Sequence, residues 1–304
     1  MAFYLWALFL LRLPGFVADV KKVQPATGPI NRESELAMGH VRTSSAIARV
    51  HPYLRKMAAL IHRDEAVGII AQRIIGSDSV TNQFVNAIVA AMWLDTKESH
   101  KATIGGGIEL FGWPIIREIA IVALLHQVHD ETVPAADMNP LELDRAALAV
   151  LTCAVEMGAD SNASLLANVG VAGLWALFRD RYYRLRRSVS DRAEDLAAAE
   201  RDEFGFDHAV LGAAMLWEAD FPDQVCRLVL SHGAPTSPIW ISEQLACQLD
   251  LGAGLRSATT SLAPDLCLKF GMTARRLIHI QNSMISASAL PTMHFTRVAA
   301  RMAA

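Results

Sequence analysis

Four stretches of the sequence hold side chains whose types and spacing could do chemistry. In "LLHQVHDE", His126, His129 and Asp130 form an H-x-x-H-D cluster. Imidazole and carboxylate groups ligate divalent metals, and an i, i+3 spacing puts both rings on one helical face. The same groups in a last helical turn also cap carbonyls and suit the helix dipole. No second histidine cluster is spaced to complete a coordination sphere. In "FGFDHAVLGAAMLWEADFPDQVCRLVLSHGAP", His208 and His232 stand near opposite ends. "FRDRYYRLRR" carries Arg179, Arg181, Arg184, Arg186 and Arg187, whose planar guanidinium forks match phosphate oxygens. "ATIGGGIELFGW" has a run of glycines, but a phosphate-cradling loop follows a strand and places its lysine after the glycines. Here Lys101 precedes them. Tight helix packing at Gly107 is the reading that remains.

These side chains must be positioned by helices. In "HPYLRKMAALI", Tyr53, Leu54, Met57, Leu60 and Ile61 recur on one helical face, and "EAVGIIAQRII" repeats the pattern. Ser77, Asp78 and Ser79 supply stop-and-cap chemistry before Val80, Phe84, Ile88 and Trp93 resume it. Further helices are expected at residues 103–111, 114–127, 140–157, 162–178, 190–201, 208–218, 222–231, 239–250 and 255–284. Strand-like alternation bounded by Asn-Gly or Asp-Gly turns is absent from the sequence. The fold class is all-α, a bundle of many helices. Asp207 is placed to cap the helix that carries His208. A second helix opens at Pro222 and ends at His232, with Gly233 as its C′ residue. Two imidazoles thus come together, although two ligands seldom hold a metal.

Composition narrows the function. The chain has 304 residues, 52% of them hydrophobic, and a formal net charge of −3. No strong field draws it to nucleic acid or anionic lipid, so no nucleic-acid partner is expected. Cys153, Cys226, Cys247 and Cys267 are scattered without a C-x-x-C pair and read as reduced core thiols of a cytoplasmic protein. The N-terminal run from Ala2 to Leu11 is interrupted by Arg12 and Pro14-Gly15. A spanning helix needs about 20 apolar residues, so stable membrane insertion is not expected. This run reads as a packed helix or as an extension from an upstream start. Residues 1–40 are expected to form an apolar and then polar leader, 41–285 the helical domain and 286–304 a tail. The arginine run reads as a solvated face with local ion pairs, neutralised in part by "DRAEDLAAAERDE". It remains a surface that could contact phosphate or a partner.

The segment from Phe204 to Pro235 resembles the HDOD domain, a relative of the HD metal-dependent phosphohydrolases. Members of that family carry G-x-D-H-x-x-x-G-x-x-L-x-x-x-W-x-x-P followed by a His-His pair and a proline. Gly205, Asp207, His208, Gly212 and Pro222 fall on this pattern, and Ser231-His232 takes the place of the paired histidines. Upstream, Gly107-Ile108 and Phe111-Gly112 resemble the family's apolar segment. "LLANVGVAGLWAL" sits where metal-binding relatives write A-G-L-L-H-D-I-G. The His-Asp pair that would hold metal is replaced by Gly170-Val171, while Gly173 survives. On the preceding helix, where the family often has His-Ser, the sequence has Glu142, Leu143 and Asp144.

The resemblance implies an HD/HDOD-like helical bundle over roughly residues 45 to 250, with a degenerate metal site and no cofactor. It implies a bacterial signalling or regulatory role through protein–protein contact, without catalysis; a homo-oligomer is compatible with it. Two alternatives are a small-ligand sensor using the arginines at 179–187 and a phosphohydrolase with a relocated site at His126, His129 and Asp130.

Overall fold

Helix follows helix along the chain, and among the described residues there is no strand. The computed structural model describes residues 32–62, 68–93, 103–134, 138–192, 196–232, 237–251 and 273–289. The first helices are α1 (Arg32–Thr43), α2 (Ser45–Ile61), α3 (Gly68–Gly76), α4 (Ser79–Trp93), α5 (Ile104–Phe111) and α6 (Trp113–Thr132). Next come α7 (Pro140–Glu156), α8 (Ser161–Leu166), α9 (Val169–Arg192), α10 (Leu196–Phe204) and α11 (His208–Glu218). The last are α12 (Asp223–Leu230), α13 (Pro238–Gln248) and α14 (Ala274–Ser288).

Local chemistry sets many of these boundaries. Side chains of Ser44, Thr103, Asn139, Asp160, Asp207, Ser237 and Thr273 each accept a backbone N–H in the first turn of the helix that follows. Pro140 and Pro238 occupy first positions, where the missing N–H costs nothing. The central element is α6. Ile116, Ile119, Ile121, Val122 and Leu124 are all buried, which occupies every side of the helix, as expected for one surrounded by others. Helices α2, α4 and α7 pack against it, and α13 and α14 cover α7.

Helices α9 and α11 approach closely. A Cβ added to Gly170 would lie 1.9 Å from the carbonyl oxygen of His208, and one added to Gly212 would lie 3.0 Å from the Gly170 nitrogen. The two backbones touch there because neither residue has a side chain. At Gly173, one turn on, an added Cβ would meet Met215 Sδ at 2.5 Å. Gly107 fills the packing role expected of it: an added Cβ would lie 2.8 Å from Val89 and 2.9 Å from Ile116.

Several expected boundaries move. The helix expected at 162–178 is two, α8 and α9, and α9 runs past its apolar stretch to Arg192. Phe178 takes φ −132° and ψ 25° and kinks α9, after which Tyr182, fully buried, draws the arginine-bearing turns back onto the core. The helix expected at 190–201 is shifted to Leu196–Phe204. The packed domain reaches back to Arg32, because Ser34, Ala37 and Val41 bury one face of α1 against α11. Of the helix expected at 255–284, the part from Ala274 is present and runs on to Ser288. The leader up to residue 31, the segment 252–272 and the tail from 290 lie outside the described residues.

The glycine crossing makes a direct prediction. Gly170→Ala should destabilise the fold by about 3 kcal/mol or more, since the clash is with backbone rather than a flexible side chain. Gly39→Ala, on an exposed face of α1 with nothing within 4 Å of the added Cβ, should stabilise it by about 0.5–1 kcal/mol. Urea denaturation of the two variants checks both signs.

Candidate functional site

His208 and His232 do come together. Their ring centroids are 5.4 Å apart, and both residues are buried. His208 begins α11 directly after its cap, Asp207, whose Oδ1 accepts the Val210 N–H at 3.0 Å. Asp207 is also ion-paired with Arg201. The left-handed turn that leads into the cap sits on Gly205, at φ 84°, where other residues would be strained.

The partner of His208 is Glu200 on α10. The carboxylate accepts three hydrogen bonds: Oε2 from His208 Nδ1 at 2.5 Å and from the His208 N–H at 2.9 Å, and Oε1 from the Tyr182 hydroxyl at 2.8 Å. Glu200 and Tyr182 are both fully buried. Burial alone would lower the His208 pKa. The charge and hydrogen bond of Glu200 outweigh it, Asp207 and Glu243 add to them, and the value is pushed up to about 9. Burial and the Glu200 charge likewise drive the Tyr182 phenol well above its ordinary value, so it stays a donor. His232 turns the other way. Its Nδ1 lies 2.6 Å from the carbonyl oxygen of Val229, and its Nε2 lies 3.4 Å from Glu243 Oε1.

A metal would need more than this pair. In the register expected from the sequence, Gly170 and Val171 replace the His-Asp ligands of metal-binding relatives. The tight crossing at Gly170 also allows a second register, three residues upstream. Position 170 has no room for any side chain, so Gly170 itself fits the glycine of A-G-L-L-H-D-I-G. In that register Leu165-Leu166-Ala167-Asn168-Val169-Gly170 reads on the pattern, and Ala167 and Asn168 would stand at the His-Asp positions. Ala167 has no donor atom. Asn168 is 6% exposed, and both ends of its amide are buried without a hydrogen-bond partner. A neutral amide is a poor substitute for a carboxylate at a divalent ion. Among the described residues, no group of three or more His, Cys, Asp or Glu side chains could hold a metal ion. The residues do not fit the ion of the metal-dependent relatives.

The H-x-x-H-D stretch is organised differently from its sequence reading. His126 and His129 are joined, but by Asp144 of α7 rather than by Asp130, which is exposed. His126 Nδ1 lies 2.6 Å from Asp144 Oδ2, and His129 Nδ1 lies 2.7 Å from Oδ1. Burial acts to raise the Asp144 pKa, yet the hydrogen bonds from the two imidazoles outweigh it and hold the carboxyl below its usual range. One carboxylate thus clamps α7 to two turns of α6. Next to it, Gln127 donates to Asp78 Oδ1 at 3.1 Å and to the Thr81 hydroxyl at 2.8 Å, tying α6 to the start of α4.

The five arginines of α9 divide into two sets. Arg181 binds Glu203 Oε1 through Nε at 2.9 Å and Nη2 at 2.8 Å, beside the rings of Phe178 and Phe204. Arg186 lies over Trp175 and Tyr182 and reaches Met138 Sδ at 2.9 Å. Arg179 is exposed and carries contacts of its own. Arg184 and Arg187 are exposed one turn apart beside Tyr183, itself 38% exposed. Neither forms a hydrogen bond or ion pair with another described residue. The cysteines behave as expected where described: burial pushes the thiols of Cys153 and Cys226 up to about 12, so neither is a thiolate near neutrality.

The acids that partner the histidines escaped the sequence reading. A signal for Glu200 was there: Leu196, Ala197, Glu200 and Phe204 share one face of α10, which puts a carboxylate on an apolar stripe. Such a group must find a buried donor.

With this geometry in view, the class is defined. Residues 99–235 match the model of the HDOD domain family, and across that stretch the chain is an HDOD domain. Two solved structures share the all-α fold. One is an HDOD domain protein with unknown function from Geobacter sulfurreducens, 14% identical, with a TM-score of 0.59 over 90% of this chain and 98% of that one. The other, from Shewanella amazonensis SB2B, carries the name "putative phosphohydrolase"; it is 13% identical, with a TM-score of 0.51 over 82% of this chain and 98% of its own. No curated protein matches the sequence.

Two titrations follow from the buried pairs. The folded-state pKa of His208 is raised, so its contribution to stability is complete below the ordinary histidine value of about 6.5 and is lost as pH rises through about 9. Glu200→Gln should flatten that decline in a denaturation series across this range. Asp144 has the opposite sign. Its depressed pKa stabilises the fold above about pH 4, and the contribution is lost as pH falls further. Asp144→Asn should cost about 1–3 kcal/mol at neutral pH by leaving an imidazole N–H facing an amide, measured by urea denaturation.

Proposed function

We propose that this chain is a non-catalytic, cytoplasmic HDOD-type regulatory protein of a bacterial signalling pathway that acts by binding another protein. The observation that supports the reading is that no group of three or more His, Cys, Asp or Glu side chains among the described residues could hold a metal ion, and that neither Gly170-Val171 nor Ala167-Asn168 supplies a His-Asp pair. Hydrolysis of a phosphoester on a divalent ion needs anionic or imidazole ligands that generate hydroxide and neutralise phosphate charge. Here His208 is committed to Glu200, and His232 Nδ1 to the Val229 carbonyl. The relocated centre at His126 and His129 is weakened in the same way, because both Nδ1 atoms are consumed by Asp144. What remains for a partner is the outer face of α9. Tyr183, Arg184 and Arg187 offer two forked cations and an aromatic edge to an acidic surface.

The same exposed pair favours one second reading, a sensor whose arginines contact the phosphate of a nucleotide. The experiments separate these readings. Capture of a protein from the native host should weaken about tenfold or more when Arg184→Ala and Arg187→Ala are combined. Calorimetry with cyclic dinucleotides should show no heat that this double variant abolishes; such a heat would select the sensor. Purified protein should neither retain stoichiometric manganese, iron or zinc nor cleave a phosphodiester in their presence. Metal-dependent cleavage would overturn the proposal.

A further inference from the structure

Helix α14 lies outside the matched HDOD segment, and its two faces are sharply separated. Ile280, Met284 and Ala287 are buried on the side that packs against α7. Arg275, Ile278, Asn282, Ile285 and Ala289 fall on the opposite side, within an arc of about 80°, and all five are exposed. Four large hydrophobic side chains are exposed among the described residues, and two belong to this stripe: Ile278 at 58% and Ile285 at 49%. The five are spaced alternately by three and four residues, the pattern of a seam between two helices, with a polar residue between the isoleucines.

The charges on α14 are the wrong way round for a helix standing alone. Arg275 and Arg276 stand in the first turn, at the positive pole of the helix dipole. No acid accompanies them there, and the last turn has no base of its own. Arg276 shows how such a residue is used. Its guanidinium donates to the carbonyl of Glu156, the last residue of α7. The start of α14 thus meets the end of α7, and a cation on one helix meets the negative pole of the other. Arg275 is exposed, and its guanidinium forms no hydrogen bond or ion pair with another described residue.

We infer that the outer face of α14 is a self-association surface whose occupant is a second copy of this chain, the two α14 helices pairing antiparallel about a two-fold axis near Asn282. In that pairing Ile278 of each copy meets Ile285 of the other. Each Arg275 comes to the C-terminal turn of the other helix, beside Ala289, and repeats outside what Arg276 does against α7. The two Asn282 amides meet at the axis, where an amide matches itself as donor and acceptor. A parallel pair would set Arg275 against Arg275, with no acid on the helix to separate them. An acidic partner of another kind would satisfy Arg275 but leave the negative pole at the far end unmet. Two-fold pairing satisfies both ends at once. A 15-residue helix is about 22 Å long, so one such stripe is smaller than the roughly 800 Å² per partner of a tight interface. The dimer is therefore weak, with a dissociation constant on the order of 10–100 μM.

Sedimentation equilibrium of the full chain tests this from about 1 μM to 1 mM, where the average mass should climb from one chain towards two. Ile278→Gln combined with Ile285→Gln should weaken the association about tenfold or more, and both positions are exposed, so the fold is spared. Arg275→Glu suits the dipole of its own helix, so a dimer it weakens is not lost through fraying of α14. Adding Ala289→Lys to Arg275→Glu should restore the dimer, because the exchanged charges face each other only in an antiparallel pair. Amide exchange in α14 of the wild-type chain should slow as concentration rises, which keeps the test decisive without any variant. A chain that stays monomeric to 1 mM would overturn the inference, as would a dimer indifferent to the isoleucine changes or not restored by the charge exchange. Protection of α14 that does not depend on concentration would also overturn it, since the face would then be covered from within the chain.

Discussion

Two glycines touching across α9 and α11 constrain everything near the histidines. With Gly170 against the His208 carbonyl and Gly212 against the Gly170 nitrogen, the helix axes approach as closely as backbones permit. That approach fixes where α11 begins, and so where the His208 ring is delivered. It also aligns the far half of α9, so that Tyr182 meets the carboxylate of Glu200 that His208 uses. A larger residue at either glycine would change the separation of two rigid bodies, and close-packed interiors absorb such changes poorly. The chemistry of the cluster depends on this steric fact more than on any single hydrogen bond.

The buried polar groups around the crossing follow a common rule. Three histidines are held by an acid on another helix: His208 by Glu200, and His126 and His129 by Asp144. Charges in an interior are tolerated when they are paired and hydrogen-bonded, and the pairs here each bridge two helices. Side chains that resemble a metal centre in the sequence serve as ties between helices. Removing one member of a tie leaves the other charged and buried, which costs far more than the intact pair contributes.

Much of the fold was legible in the sequence, because apolar periodicity and capping residues report local forces. The helices around Pro140, His208 and Pro238 lie close to their expected positions, since each begins with a residue whose side chain caps it or with a proline suited to a first turn. Less legible was α9. Its apolar pattern stops near Phe178, but burial of Tyr182 extends the helix through residues that looked like a solvated run. The candidate site was legible only as a list of histidines. Their acids are set by packing between helices, which no periodicity encodes. The register of the motif shows the same limit, because Gly170 and Gly173, three residues apart and both closely packed, compete for one motif position.

The end of α11 carries one more consequence. Asp220, just beyond it, adopts φ 64°, and the carbonyls there are met by rings from α2 and its C-cap: His51 Nε2 lies 2.9 Å from the Glu218 oxygen and His62 Nε2 lies 2.7 Å from the Asp220 oxygen. Arg42 of α1 reaches the Glu218 side chain from the same direction. The C-terminal cap of a helix inside the recognisable family segment is therefore supplied by residues well upstream of that segment. The stretch that carries ancestry and the stretch that must cohere to fold have different limits, and a fragment cut to the family's edges would expose carbonyls that the intact protein keeps satisfied.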